Sequence, residues 1–268
     1  MSNINVAALC RATLMSAMLV PPAFAQEIDR IAAITTASAR PTMLVVGERL
    51  EYDVKFGKLQ VGHGSMEVRE RTDVRGRETF HTVFAIRGGI PFFRVDDRLE
   101  SWIDTRSFTS LRFAQQTNEG RYHRERRVEL FPERATMLES GEGAEEQPTV
   151  AQPLDEGGLL YFLRTLPLEV GDRYSLNRYF RPDRNPVRLE VVRRERIQVP
   201  AGTFETIVIR PTIKSSGIFS ENGQAEVWVT DDERRIMVQM TAKLSFGTLH
   251  LSLREMTNVV STSLALRK

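Results

Sequence analysis

Alternation of apolar and polar side chains with a period of two residues runs through most of this chain and points to sheet architectures. In Leu50-Glu51-Tyr52-Asp53-Val54-Lys55-Phe56 every second side chain is apolar, so a strand there gives one face to a core and the other to water. Gly57-Lys58 reverses the chain and Leu59 to Arg71 resumes as a second strand, completing a hairpin. The same period predicts strands over 79–87, 93–103, 110–117, 121–131, 173–178, 187–199, 203–212, 224–230, 235–245 and 248–256. Gly76, Asn118-Glu119-Gly120, Pro200-Ala201-Gly202, Asn222-Gly223 and Asp231-Asp232-Glu233 favour tight reversals between them, and links this short join antiparallel neighbours.

One segment departs from the period. Leu154 to Leu166 carries Leu159, Leu160, Tyr161, Phe162, Leu163 and Leu166 with Arg164 among them, follows the potential cap Asp155 and stops at Pro167. A helix apolar on nearly every side must be buried, so the chain is expected to be mainly β: a strongly curved antiparallel sheet or incomplete β-barrel with one buried helix. Ser140 to Gln152, rich in Gly, Glu and Pro, is the loop that feeds the helix. An outer-membrane barrel shares the alternation, but the internal helix, the uneven strand lengths, the lack of aromatic girdles and the cationic end Arg267-Lys268 argue against it.

The first residues bear on the compartment. Arg11, the apolar run from Ala12 to Val20, Pro21-Pro22 and Ala23-Phe24-Ala25 have the order of a secretory signal peptide cut before Gln26. The expected organisation is a signal peptide over 1–25, a flexible lead over 26–46 and a single β-rich domain over 47–268, located in the periplasm. No later run reaches the roughly 20 apolar residues of a membrane-spanning helix. Cys10, the one cysteine, lies inside the signal segment, so the exported chain has neither a disulfide nor a catalytic thiol. A lipid-modified Cys10 would need a small residue before it, where Leu9 stands. With Lys+Arg 37 against Asp+Glu 35, the net charge of +2 gives no electrostatic support for a nucleic-acid partner.

Several segments together resemble a known family. They are Gly47-Glu48-Arg49-Leu50-Glu51-Tyr52-Asp53-Val54, Gly62 to Ser65, Phe93-Arg94-Val95-Asp96-Asp97-Arg98, Leu159 to Leu168 with Gly171-Asp172, and Val199-Pro200-Ala201-Gly202-Thr203-Phe204-Glu205. This combination resembles the exported bacterial family catalogued as domain of unknown function 3108, over nearly all of residues 47–257. The resemblance implies a β-rich envelope protein of a Gram-negative-type cell and supplies no activity or catalytic residue. Where the family's helix begins Asp-Pro-Leu-Ser, this chain has Pro153-Leu154-Asp155-Glu156-Gly157-Gly158.

Signatures of chemistry are sparse. His63, His81, His123 and His250 show none of the spacings that put two imidazoles on one metal from one element. Neither a nucleophile elbow nor a phosphate loop is present, and Gly62-His63-Gly64-Ser65 sits mid-strand, where glycine marks a bulge or close packing. The chain is therefore expected to be no enzyme and to need no cofactor or metal. Strand alternation puts Arg124 and Arg126 on one face with Tyr122, Val128 and Leu130, either as an anion-binding cavity or as charge-paired, snorkelling arginines. Two loops are apolar where turns are usually polar: Ile90, Phe92 and Phe93 in one, Ile218 and Phe219 in the other. They either plug the open end of the sheet or touch a ligand, lipid or partner. With Tyr161 and Phe162 of the helix, these residues are the candidate contacts. The function expected is a monomeric binding or carrier protein for a lipid-like or amphipathic envelope ligand; the alternative is an envelope assembly or scaffold protein acting through protein contacts.

Overall fold

A computed structural model describes residues 44–90, 93–214, 219–220, 224–244 and 247–259 of the protein. The signal segment 1–25 with Cys10, the lead as far as residue 43, and the loop residues Phe92 and Ile218 lie outside the described residues.

Fourteen strands form one antiparallel sheet. They are β1 (Arg49–Phe56), β2 (Leu59–Val74), β3 (Arg77–Ile90), β4 (Phe93–Asp104), β5 (Ser110–Glu119), β6 (Tyr122–Phe131), β7 (Thr136–Glu139), β8 (Gln147–Pro148), β9 (Arg173–Leu176), β10 (Val187–Val199), β11 (Gly202–Thr212), β12 (Glu226–Thr230), β13 (Met237–Leu244) and β14 (Gly247–Thr257). The strand order is β8 to β1 followed by β14 to β9, so two meanders meet where β1 pairs with β14. The sheet is not closed by a β8–β9 pairing: the chain between them carries α1 (Glu156–Phe162) and crosses from one edge to the other.

That crossing also seams the two edges. Leu154 N donates to Arg178 O and Phe180 N to Leu154 O, at 2.6 and 3.0 Å, while Ser110 N donates to Pro153 O at 2.8 Å. Thr149 Oγ1 adds a bond to Phe180 O at 2.5 Å. Backbone groups that a closed barrel would satisfy by strand pairing are met here by loop atoms.

The strands β2, β3 and β14 run longer than the alternation outlined, β10 matches it, and β7 and β8 are too short to show any period. The helix is shorter than its apolar run: α1 ends at Phe162 and Leu163–Thr165 continues as a 3-10 turn before Pro167. Asp155 is its N-cap, accepting from Gly158 N at 2.9 Å. Gly157 and Gly158 let the helix start press on the sheet, because a Cβ there would stand 2.6 Å from Ser101 Oγ and 2.8 Å from Ser110 Oγ.

The hairpins define two ends. At the upper end β1 turns into β2, β3 into β4, β5 into β6 and β13 into β14; at the lower end β2 turns into β3, β4 into β5, β10 into β11 and β12 into β13. The helix belongs to the lower end. Its Phe162 ring lies 6.0 Å from Phe108 in the β4–β5 turn, and Arg164 just past it donates to Arg234 O in the β12–β13 turn at 2.9 Å.

Candidate functional site

The inner face of the sheet changes character from one meander to the other. Val191, Ile209, Val227, Met240, Leu251 and Val54 are successive cross-strand partners from β10 to β1, and each is at most 2 % exposed. The same row continues through Gly62, Gly88, Val95 and Glu119 to Tyr122 on β6. Four residues nearer the lower end along each strand, the row reads Met66, Phe84, Leu99, Gln115 and Arg126. An aliphatic wall on β10–β14 and β1 therefore faces a wall on β4–β7 that carries Asp97, Gln115, Thr117, Arg124, Arg126 and Glu139. Toward the upper end Ile86, Val95, Leu99, Gln115 and Leu249, on this inner face, are only half-buried. The helix covers the lower end and leaves these upper residues without such cover.

Arg126 is the buried cation of the polar wall, its side chain 6 % exposed. It donates from Nε to Glu139 Oε1 at 2.7 Å, from Nη2 to Glu139 Oε2 at 3.1 Å and from Nη1 to Gln115 Oε1 at 3.3 Å, and lies over the Phe180 ring at 5.8 Å. Arg181 reaches the same carboxylate at 2.9 Å and Arg124 at 3.7 Å. Three guanidinium groups thus share one Glu139, whose pKa is held below the usual range by the Arg126 hydrogen bond first of all. Burial, reinforced by the neighbouring Asp97, pushes Glu119 up, and Asp97 accepts from Asn118 N at 2.9 Å.

The lower end holds a second polar set. Arg164 forms a two-pronged pair with Glu48, at 2.5 and 3.0 Å, and the two side chains are 6 % and 2 % exposed. Glu48 and Arg164 belong to two separate motifs of the sequence, and the fold brings them together. Tyr52, from the first motif, donates to Met237 O at 2.9 Å. Burial pushes the Tyr161 hydroxyl up; it lies near the Glu67 backbone without a well-aligned hydrogen bond. Asp155 is fully buried, takes Ser101 Oγ at 2.5 Å and Gly158 N on Oδ1, and leaves Oδ2 without a partner. Burial above all raises its pKa to about 6.

The candidate contacts divide between these places. Arg124 and Arg126 do share the inner face with Val128 and Leu130, Arg124 half exposed and Arg126 buried. Tyr161 and Phe162, 1 % and 6 % exposed, pack at the lower end with the helix. Phe219 is 7 % exposed, and its carbonyl accepts from Ile213 N, just past the upper end of β11, at 2.7 Å. Ile90 and Phe93 pair in register as the last residues of the β3–β4 hairpin, also at the upper end. Glu139, Glu48 and Asp97 were missed as site residues. Glu139 lies on a four-residue strand with no legible period, and Glu48 and Asp97 are single acids in charge-rich segments.

Among the described residues no three His, Cys, Asp or Glu side chains come together as metal ligands would, and no helix is long and apolar enough to cross a membrane.

Comparison with solved structures supports the architecture. The chain is similar to a beta-barrel-like protein of the domain of unknown function DUF1849 from Brucella abortus, with a TM-score of 0.53 and 12% identity, covering 81% of this chain and 99% of that one. It also matches the hypothetical protein CT021 from Chlamydia trachomatis at a TM-score of 0.36 and 10% identity, over 84% of this chain and 93% of that one. The first likeness bears on the fold alone: a β-barrel-like antiparallel sheet. No curated protein matches the chain. The model of the family described as "Protein of unknown function (DUF3108)" matches residues 51–254, and the chain belongs to that family.

Proposed function

We propose that the protein is a non-enzymatic binding or carrier protein of the periplasm, taking an amphipathic, lipid-like ligand through the upper end of the sheet. The observation that carries this reading is the division of the inner face into an aliphatic wall and a wall bearing Gln115, Thr117, Arg124 and Arg126, with half-buried Ile86, Leu99 and Leu249 at the end the helix does not cover. An apolar chain would contact the half-buried Ile86, Leu99 and Leu249, and a polar head suits Gln115 and the half-exposed Arg124 beside them. The secretory-type order of residues 1–25 and a sequence without nucleophile-elbow or phosphate-loop motifs support a carrier over a catalyst.

Native mass spectrometry and organic extraction of the purified protein test the reading. Protein as isolated is expected to yield an extractable amphiphile, and Ile86→Glu with Leu249→Glu is expected to reduce its occupancy at least tenfold while the far-ultraviolet spectrum stays that of a β-protein. Protein that is empty on isolation and takes up no fluorescent fatty acid would overturn it. Capture of a defined envelope protein by that empty material would favour the assembly-factor alternative.

A further inference from the structure

The cations of this chain are sorted by type, and the sorting has a direction. The sequence holds five lysines: Lys55, Lys58, Lys214, Lys243 and, outside the described residues, Lys268. The four described lysines all stand at the upper end. Lys55 and Lys58 flank the β1–β2 turn, Lys214 follows Ile213, which bridges to Ser220 just past β11, and Lys243 is the second-last residue of β13. Arginines, by contrast, are spread over the whole sheet and mostly held by carboxylates, as in the Arg164–Glu48 and Arg126–Glu139 pairs. Among the described residues no ion pair reaches any of the four lysines, and Lys58, Lys214 and Lys243 are exposed. Arg94 and Arg121, exposed and equally without a carboxylate partner, complete the set at the β3–β4 and β5–β6 turns.

Four large hydrophobic residues of the described chain are exposed, Val46 and Val170 toward the lower end and Leu59 and Tyr122, the two most exposed, at the upper end. Leu59 is 60% exposed and Tyr122 52%. Each sits next to one of the unpaired cations, Leu59 after Lys58 and Tyr122 after Arg121. A long cationic side chain beside an apolar or tyrosyl one at a hairpin tip is the combination that suits the headgroup layer of a bilayer: the apolar group enters, the ring sits at the boundary and the cation meets phosphate. Of the acids toward this end, Asp96 is paired with Arg87, and Glu226 with Arg193 and Arg210.

We propose that the upper rim, with Leu59 and Tyr122 as apolar tips and Lys58, Lys214, Lys243, Arg94 and Arg121 as cations, docks on an anionic membrane surface. The docked orientation turns the uncovered end of the inner face toward the lipid. This goes beyond the carrier reading and stands on different residues, so either can fail alone.

The test is sedimentation of the full chain, purified as cells export it, with vesicles of phosphatidylcholine alone and of phosphatidylcholine with 30 mole per cent phosphatidylglycerol, a composition of about one anionic lipid in three that gives a strong surface potential. Association is expected with the anionic vesicles and is expected to fall with salt, since each cation near such a surface contributes about fivefold in affinity. Lys58→Glu with Lys243→Glu is expected to weaken it at least twenty-five-fold, on the order of fivefold for each charge removed. Leu59→Ser with Tyr122→Ser is expected to weaken it while leaving the salt dependence. Val46→Ser with Val170→Ser, at exposed apolar residues just before the lower ends of β1 and β9, is expected to change nothing. All these positions are exposed, and unchanged thermal melting confirms that each variant is folded. No association at low salt, equal association with both vesicle types, or association that the charge-reversed variant retains would overturn the proposal. Extractable amphiphile in the charge-reversed variant separates the two readings: its presence without vesicle binding leaves the carrier reading standing, and vesicle binding by empty protein leaves the docking reading standing.

Discussion

Glu48 and Arg164 form a buried ion pair whose members come from opposite halves of the chain. Removing one partner strands the other charge in the interior, so Glu48→Ala is expected to cost about 3–5 kcal/mol in urea unfolding, whereas Glu48→Met with Arg164→Met recovers most of the loss. A double variant no more stable than the single one would contradict this account of the pair. Asp155 makes the opposite kind of prediction. Its carboxyl titrates near 6 in the folded protein against 3.8 when unfolded, because burial disfavours the charged form more than Ser101 and Gly158 favour it. The native state therefore binds the extra proton between those values. Its contribution is fully present below the lower one and is lost as pH rises through the higher one, by roughly 3 kcal/mol. Asp155→Asn keeps an acceptor for Gly158 N and removes the titration. The difference in melting temperature between variant and wild type is expected to shift in the variant's favour from pH 4 to pH 7; parallel profiles would show that Asp155 does not titrate there.

At the scale of elements, β2 and β3 owe their close approach to two facing glycines. Gly62 and Gly88 are cross-strand partners, and a Cβ on Gly62 would stand 2.1 Å from Arg87 O, one on Gly88 2.1 Å from Val61 O. The obstacles are backbone atoms, which cannot swing aside, so Gly62→Ala is expected to destabilise by about 1–3 kcal/mol and to disturb the upper end of the hairpin. Thermal melting of Gly62→Ala and Gly64→Ala measures it. Gly64, whose nearest neighbour to a Cβ is 3.4 Å away, is expected to tolerate the same change better. The mid-strand position of these glycines was legible in the sequence, with close packing as its reading; which carbonyl they admit was not, because the β2–β3 register is set by the partner strand.

For the whole molecule, the open question of a fourteen-stranded sheet is what holds its two edges. The seam of Leu154 with Arg178 and Phe180 is backed by Glu139, which binds Arg126 from β6 and Arg181 from the far side of the crossing. Glu139→Ala is expected to speed hydrogen exchange at Leu154 and Phe180 at least tenfold while leaving Tyr52 and Leu253 in the β1–β14 junction unchanged. Uniform acceleration would mean that the seam is no weaker than the rest of the sheet. Because Arg126 holds the Glu139 carboxyl below the ordinary range, the seam keeps its strength at neutral pH and loses it as pH falls through that lowered value.

Local pattern alone determined twelve of the fourteen strands, most of the turns, the buried helix with its Asp155 cap, and the shared face of Arg124 and Arg126, since a period of two and a capping residue are properties of neighbours in sequence. It also narrowed the fold to a curved sheet around a helix, because an apolar helix and many half-apolar strands have few ways to bury each other. The strand order, the closing of the edges by loop atoms, the meeting of Glu48 with Arg164, the three arginines on Glu139 and the gathering of the lysines at one end were decided by tertiary structure. Each depends on register and on contacts between residues tens to more than a hundred positions apart, as Glu48 and Arg164 are at a separation of 116. A one-residue slip in any strand pairing would send such side chains to the other face without changing a single local preference.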